Sequence, residues 1–396
     1  MNKEKIIFKI RGLGIGGIER LTIDILNNLK IEDKEIVLLL ENRSENALEN
    51  QLDKRIEKIY LLPKKFEEHF NKIKKMKNEQ KNLYNKVYFG ILLEIKRKLI
   101  NYNLNRYIRE NNVKVFIDYS GHSLSQIKHI TKVIKVLWVH LSISTLKENK
   151  KKRYIDKLKK YDKIVVVCKE LKNELLEIAP ELSEKIEVIY NFIDREKIEE
   201  RLENEIPLED EKLREDNYCM MLGRLDEVKD YETAIKAFEI LRNKGIEEKL
   251  YIVGEGGIKE KLQAFINQKN LGEQVFLLGR RENPYLLLKR ANIFIHTSKL
   301  EGFGLVLIEA GVCKTLVISS KYKCGANEIL ENGKNGILFE VEDYQELANN
   351  IEKVLIEKID KEIYIENFYK SLDRFSKEKI IEEYRKLIER LEKNER

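Results

Sequence analysis

The sequence predicts an α/β protein made of two successive parallel-sheet units. Short apolar runs rich in β-branched residues alternate with longer charged amphipathic stretches, as parallel strands joined by helical crossovers require. That pattern restarts after a polar, proline-containing segment at residues 195–216. The 396 residues also suit two to three domains at roughly 150 residues each. With 42% hydrophobic and 36% charged residues, 4 Pro and 19 Gly, the composition excludes collagen-like, low-complexity and wholly disordered chains.

In the first half, apolar runs predict strands at Ile6–Ile10, Ile36–Leu40, Val113–Tyr119, Val133–His140, Ile164–Val167 and Ile186–Tyr190. Helices fall between them, notably Ile18–Leu29 and a long basic one within Tyr84–Asn111. In the second half the predicted strands are Tyr218–Leu222, Leu250–Val253, Val275–Leu278, Ile293–His296 and Thr315–Ser319. The tail carries Ile380, Ile381, Tyr384, Leu387, Ile388 and Leu391 at helical spacing, which predicts a closing amphipathic helix.

The net charge of +7 hides an asymmetry. Residues 1–193 hold 40 Lys and Arg against 26 Asp and Glu, and the remainder holds 35 against 42. Within the first half, residues 64–163 carry 26 basic and 9 acidic side chains. One cluster is Lys72, Lys74, Lys75, Lys77 and Lys81; another runs from Lys147 to Lys163. Aromatic and aliphatic residues such as Phe66, Phe70, Tyr84, Tyr88, Phe89, Ile91 and Leu92 are interleaved. Such a face suits an anionic membrane surface, or is simply solvated. No RRM, KH or zinc motif accompanies the charge, so nucleic acid is not the expected partner.

The four cysteines form no CxxC pair, and the opening MNKEKIIFKI lacks the apolar stretch of a signal peptide. A reducing cytoplasm is therefore the expected compartment. No run reaches the roughly 18 apolar residues of a membrane span, so membrane contact is expected to be peripheral.

Two glycine signals carry chemistry. Gly12, Gly14 and Gly17 satisfy GxGxxG after the first strand, and Glu41 follows the second, so the letter of the motif is a dinucleotide fingerprint. Physically, these glycines and the helix start near Ile18 offer backbone N–H groups to an anion. A phosphate or carboxylate fits as well as NAD, and a tight strand-to-helix turn explains the glycines without a ligand.

In the second half, the strand Tyr218–Leu222 leads into Gly223-Arg224-Leu225-Asp226-Glu227-Val228-Lys229-Asp230. Arg224 and Lys229 can converge there on phosphate oxygens, the one as a planar fork and the other as a point charge. Further on, Glu301-Gly302-Phe303-Gly304-Leu305-Val306-Leu307-Ile308-Glu309 sets one glutamate on a glycine-flanked loop and another within an apolar helix. A carboxylate in that setting needs hydrogen-bond donors, which ribose hydroxyls would supply. The N–H groups at Gly304 to Val306 open the helix and can receive a diphosphate.

In combination these motifs resemble the retaining glycosyltransferases of the GT-B fold, of the family 4 type with an E-x7-E signature. The resemblance rests on Gly16-Gly17-Ile18-Glu19, Val188 to Asp194, Gly223-Arg224-Leu225 with Lys229, Val253-Gly254-Glu255-Gly256, and Glu301 to Glu309, in that order. It implies two Rossmann-like domains facing each other across a deep cleft. Residues 1–193 would bind the acceptor and 194–375 the nucleotide sugar, with a helix at 376–396 packing back toward the first domain.

By the same resemblance, Arg224 and Lys229 hold the diphosphate and stabilise the leaving nucleotide, a task that elsewhere falls to a metal, so no metal or further cofactor is expected. Glu301 contacts the transferred sugar and Glu309 the ribose. Phe303, Gly304, Leu305 and Val306 present backbone groups, while Gly254, Glu255, Gly256 and Arg280 border the base. Gly16 and Gly17 face the phosphates, and His140, at a strand's C-terminal end, lies near the donor sugar. The expected reaction moves a hexose or N-acetylhexosamine from a nucleotide sugar, UDP-linked, to a glycan or polyprenyl-linked acceptor, with retention of configuration. The alternatives are a non-catalytic partner subunit of the same fold and an NAD-dependent oxidoreductase.

Overall fold

A computed structural model describes residues 3–393 apart from 15, 44–45, 80–81, 122, 124–131, 145, 206, 214–215 and 358. Ile15 of the first glycine loop and Lys81 of the basic cluster thus lie outside the described residues. The chain folds into two compact units. One comprises Met1–Val167, Leu175–Ile189 and Ile381–Arg396; the other comprises Cys168–Glu174 and Tyr190–Ile380.

The first unit holds β1 (Glu4–Ile10), β2 (Lys34–Leu40), β3 (Glu57–Tyr60), β4 (Val113–Asp118), β5 (Ile134–Val139), β6 (Lys163–Val166) and β7 (Ile186–Val188). They form one parallel sheet in the order β3-β2-β1-β4-β5-β6-β7. Its crossovers include α1 (Gly17–Asn28), the hairpin α2 (Lys64–Glu79) and α3 (Leu83–Glu110), and α4 (Glu148–Leu158). The next helix, α5 (Lys169–Ile178), spans the boundary between the units at residue 174.

The second unit begins with α6 (Arg195–Leu202) and carries β8 (Tyr218–Leu222), β9 (Lys249–Val253), β10 (Val275–Gly279), β11 (Ile293–His296), β12 (Val317–Ser320) and β13 (Ile337–Phe339). These are parallel in the order β10-β9-β8-β11-β12-β13. Around them run α7 (Tyr231–Asn243), α8 (Lys259–Gln268), α9 (Tyr285–Arg290), α10 (Leu305–Val312), α11 (Ala326–Ile329), α12 (Tyr344–Leu355) and α13 (Lys361–Ser371). Phe238, Leu250, Ile252, Ile295 and Ile351 are among the fully buried side chains of its core.

Both strand orders reverse direction beside the first strand, between β1 and β4 and between β8 and β11. In an open α/β sheet such a reversal opens a crevice at the C-terminal strand ends, where ligands bind. The last helix, α14 (Lys377–Lys393), buries Ile380, Ile381, Tyr384, Leu387 and Ile388. Tyr384 stacks on Trp138 of β5 with ring centroids 4.8 Å apart.

Sequence patterning misses β3 and β13, which are the outermost strands of their sheets on one side. Central strands are buried on both faces and read as apolar runs, whereas Glu57–Tyr60 is half charged and Ile337–Phe339 is three residues long. The strand expected from Thr315 starts at Val317, because Lys314 adopts a left-handed turn conformation after α10.

Candidate functional site

The second unit brings Lys229, Glu301 and His296 together at its switch point. Lys229 lies on the loop after β8, and His296 ends the neighbouring β11. Thr297 fixes the Lys229 loop, its Oγ1 donating to Lys229 O at 2.8 Å and Asp230 O at 2.9 Å. Lys299 N adds a bond to Val228 O at 2.9 Å. Asp230 takes a left-handed conformation as it enters α7 and accepts a bond from Thr233 Oγ1 at 2.7 Å. Burial raises the pKa of the Asp230 carboxyl.

The Lys229 ammonium pairs with Glu301 Oε1. His296 Nε2 stands 3.1 Å from the same oxygen, off the angle of a formed hydrogen bond. Burial alone would raise the pKa of Glu301, but His296 and Lys229 together bring it down to about 2. His296 is itself buried, which lowers its pKa and keeps the ring neutral. Its ring meets Tyr322 edge-on at 5.4 Å, and Tyr322 Oη donates to Phe303 O at 3.0 Å. The result is an ionised carboxylate held between a cation and a neutral imidazole.

Arg224 shares the loop with Lys229 but is not drawn to the same group. Its guanidinium pairs with Asp226 at 2.8 Å and its side chain is 78% exposed. Such exposed pairs contribute about 0–1 kcal/mol, so Arg224 turns readily toward another anion.

Gly304 precedes α10 at φ +99°, where a Cβ would lie 1.9 Å from Tyr322 Oη. It lets the chain turn so that the N–H groups of Leu305 and Val306 open the helix. Phe303 is buried, stacked with Tyr190 at 5.8 Å, so only its backbone is offered to a ligand. Glu309 is half-buried further along α10.

The glycines expected to border a base have a structural role. A Cβ at Gly254, whose φ is +147°, would meet Gly223 O at 1.8 Å, and one at Gly256 would meet Leu225 O at 2.1 Å. Gly223 N bonds to Val253 O at 3.0 Å, and Leu225 N bonds to Glu255 O at 2.9 Å. The loops after β8 and β9 therefore continue the ladder beyond the strands, with the Glu255 and Arg280 side chains exposed at their rim.

His140, Gly16 and Gly17 belong to the first unit. His140 follows β5, with Nε2 2.7 Å from Tyr119 O. Its buried Nδ1 has no partner among the described residues, and burial lowers its pKa to about 4. A Cβ at Gly17 would meet nothing within 4 Å, and one at Gly16 only the far end of the Glu19 side chain, so packing demands neither glycine. Glu41, which the dinucleotide fingerprint would give to a ribose, instead holds the fully buried Lys9 ammonium at 2.6 Å. That pairing removes the acidic arm of the NAD reading.

Sequence reasoning missed His296 and Thr297. The rule that singled out His140, a histidine at the C-terminal end of a strand, applies equally to His296.

Residues 203–371 match the profile of the family described as glycosyl transferases group 1. A glycosyltransferase of Methanocaldococcus jannaschii, MJ1059, itself uncharacterised, is 31% identical over 315 residues, covering 70% of this chain and 77% of that protein. The chain belongs to the glycosyltransferases. Another relative in that class is the N-acetylgalactosamine-N,N'-diacetylbacillosaminyl-diphospho-undecaprenol 4-alpha-N-acetylgalactosaminyltransferase of Campylobacter jejuni. It is 32% identical over 198 residues, 49% of this chain, which thus spans about half (52%) of that transferase. Among solved structures, Anabaena Alr3699/HepE in complex with UDP and glucose has a TM-score of 0.75 and 19% identity, covering 98% of this chain and 100% of that one. The two-sheet architecture is accordingly the GT-B fold.

Proposed function

We propose that this glycosyltransferase moves a hexose or N-acetylhexosamine from a UDP-sugar to a glycan or lipid-linked acceptor at the cytoplasmic face of the membrane, with retention and without a metal. The observation that carries the proposal is the Lys229–Glu301–His296 cluster at the β8/β11 switch point. In this reading the donor diphosphate lies against Lys229, Arg224 and the N–H groups of Leu305 and Val306. Glu301 accepts hydroxyls of the transferred sugar, and Glu309 those of the ribose. The anomeric C–O bond to the diphosphate breaks as the acceptor oxygen attacks from the same face. The departing phosphate takes the acceptor proton, while Lys229 and Arg224 meet its growing charge. By the family resemblance, His140, Gly16 and Gly17 of the first unit are proposed as further donor contacts.

The UDP in the Anabaena structure and the undecaprenyl diphosphate in the Campylobacter relative's name support this donor and acceptor. Among the described residues no helix is long and apolar enough to cross a membrane. The test is UDP release and sugar transfer across a panel of UDP- and GDP-sugars, with the anomer of the product read by NMR. Glu301→Gln and Lys229→Met should each lower turnover by about a hundredfold or more. Wild-type turnover in either variant, or an inverted product, would refute the proposal.

A further inference from the structure

Seven of the twelve large hydrophobic side chains exposed among the described residues lie on one helix, α3. Scattered apolar side chains are ordinary on a protein surface, but such a concentration marks an interaction site. Leu83 and Tyr84 are about three-quarters exposed, and Val87, Ile91 and Tyr102 more than half. At 100° per residue these five fall within a sector of about 100°. The opposite face is satisfied, since Leu92, Ile100 and Leu104 are buried and Leu92 packs with Phe70 and Ile73 of α2. The outward stripe therefore is not core awaiting a better fit.

Charge decides what covers it. Lys86, Arg97 and Lys98 are exposed beside the stripe, against one acid there, Glu94, whose pair with Arg97 at 2.6 Å is itself exposed and leaves the guanidinium open to a phosphate. The partner helix α2 adds exposed Lys64, Lys65, Lys72, Lys74 and Lys75 against exposed Glu68 and Glu79, the latter 3.8 Å from Lys75, so the excess stays positive. A second copy of the chain would bring these cations against one another. A nucleic acid would meet the charge but leave Leu83, Val87 and Ile91 with nothing to bury against. An anionic lipid surface satisfies both, with acyl chains under the stripe and phosphates at the rim.

We propose that the outward face of α3 docks the protein on an anionic membrane, with Leu83, Tyr84, Val87 and Ile91 inserted and Lys86, Arg97 and Lys98 held at the headgroup phosphates. The inference deepens the acceptor half of the proposed function by assigning the lipid contact to one helix face. Neither the second Lys cluster, on and around α4, nor the basic block as a whole is needed for it.

The test is cosedimentation of the full chain with vesicles of phosphatidylcholine alone or mixed with phosphatidylglycerol, over a range of salt. Binding should require phosphatidylglycerol and weaken with salt. Joint substitution Leu83→Ser, Val87→Ser and Ile91→Ser should weaken it about tenfold or more at unchanged charge. The set Lys86→Gln, Arg97→Gln and Lys98→Gln should do the same with the apolar stripe intact. Both sets change outward side chains only, so their thermal midpoints and UDP release from soluble donor should stay at wild type. Loss of UDP release in the wild type would count against the proposed chemistry and leave the docking result readable. Equal vesicle binding by wild type and the Ser set would overturn the docking proposal. So would a wild-type dimer that the Ser set turns into monomers, or retention on RNA with no binding to vesicles.

Discussion

Glu301 is held by two partners that differ in kind. Lys229 supplies charge that a bound diphosphate would share, whereas His296 is neutral, buried and free of that competition. In the proposed reaction Lys229 turns to the phosphate, and His296 Nε2, 3.1 Å from Oε1, is placed to close a hydrogen bond that keeps the carboxylate in position. His296→Ala should lower turnover by about tenfold to a hundredfold with little change in donor KM, the range expected for losing a contact to a charged group. His296→Gln, which keeps an N–H donor, should recover most of it; equal losses in the two variants would sink this role. A different consequence follows at His140, which folding holds neutral. Its pKa falls from the ordinary 6.5 to about 4, so the unfolded chain binds its proton first. The stability it contributes is complete above pH 6.5 and is lost as pH falls toward 4, a change on the order of 3 kcal/mol. Denaturant titrations at stepped pH should find that slope in the wild type and a flatter one in His140→Gln.

At the scale of elements, the two glycine-rich loops differ in what they tolerate. Gly254→Ala would drive a Cβ into Gly223 O from a backbone conformation that disfavours side chains, costing several kcal/mol and visible as a lower thermal midpoint. Gly17→Ala opens α1 with nothing within 4 Å, so stability should hold or rise by up to about 1 kcal/mol. If Gly17 faces the donor phosphates, the same change raises donor KM without destabilising the protein. Sequence alone could not separate these loops, because both read as glycines after an apolar strand. It did locate eleven of the thirteen strands among the described residues, since buried parallel strands are written as apolar runs, and the two omitted are short edge strands. It located the Lys229 and Glu301 loops for the same reason, as they follow strands β8 and β11. It could not foresee that Arg224 turns to Asp226 while Lys229 turns to Glu301, because that choice is made by the Thr297 and Lys299 bonds across neighbouring strand ends.

For the whole molecule, the two compact units point to separable thermodynamics. A chain of two units, each with its own sheet, is not bound to unfold in a single step. The proposed diphosphate contacts lie mainly in the unit containing Tyr190–Ile380, the same unit that Gly254→Ala should destabilise. That variant therefore identifies the corresponding transition in a calorimetric scan. UDP at about 100 times its Kd adds about 2.7 kcal/mol to the state that binds it, which raises the midpoint of a unit of this size by roughly 5–10 °C. UDP should raise the transition marked by Gly254→Ala more than the other, and Lys229→Met should abolish the rise. NAD at equal concentration should leave both transitions in place. Equal UDP shifts in both transitions would instead place the first unit's glycine loop and His140 at the diphosphate on a par with Lys229, whereas a shift surviving Lys229→Met would remove that lysine from the site.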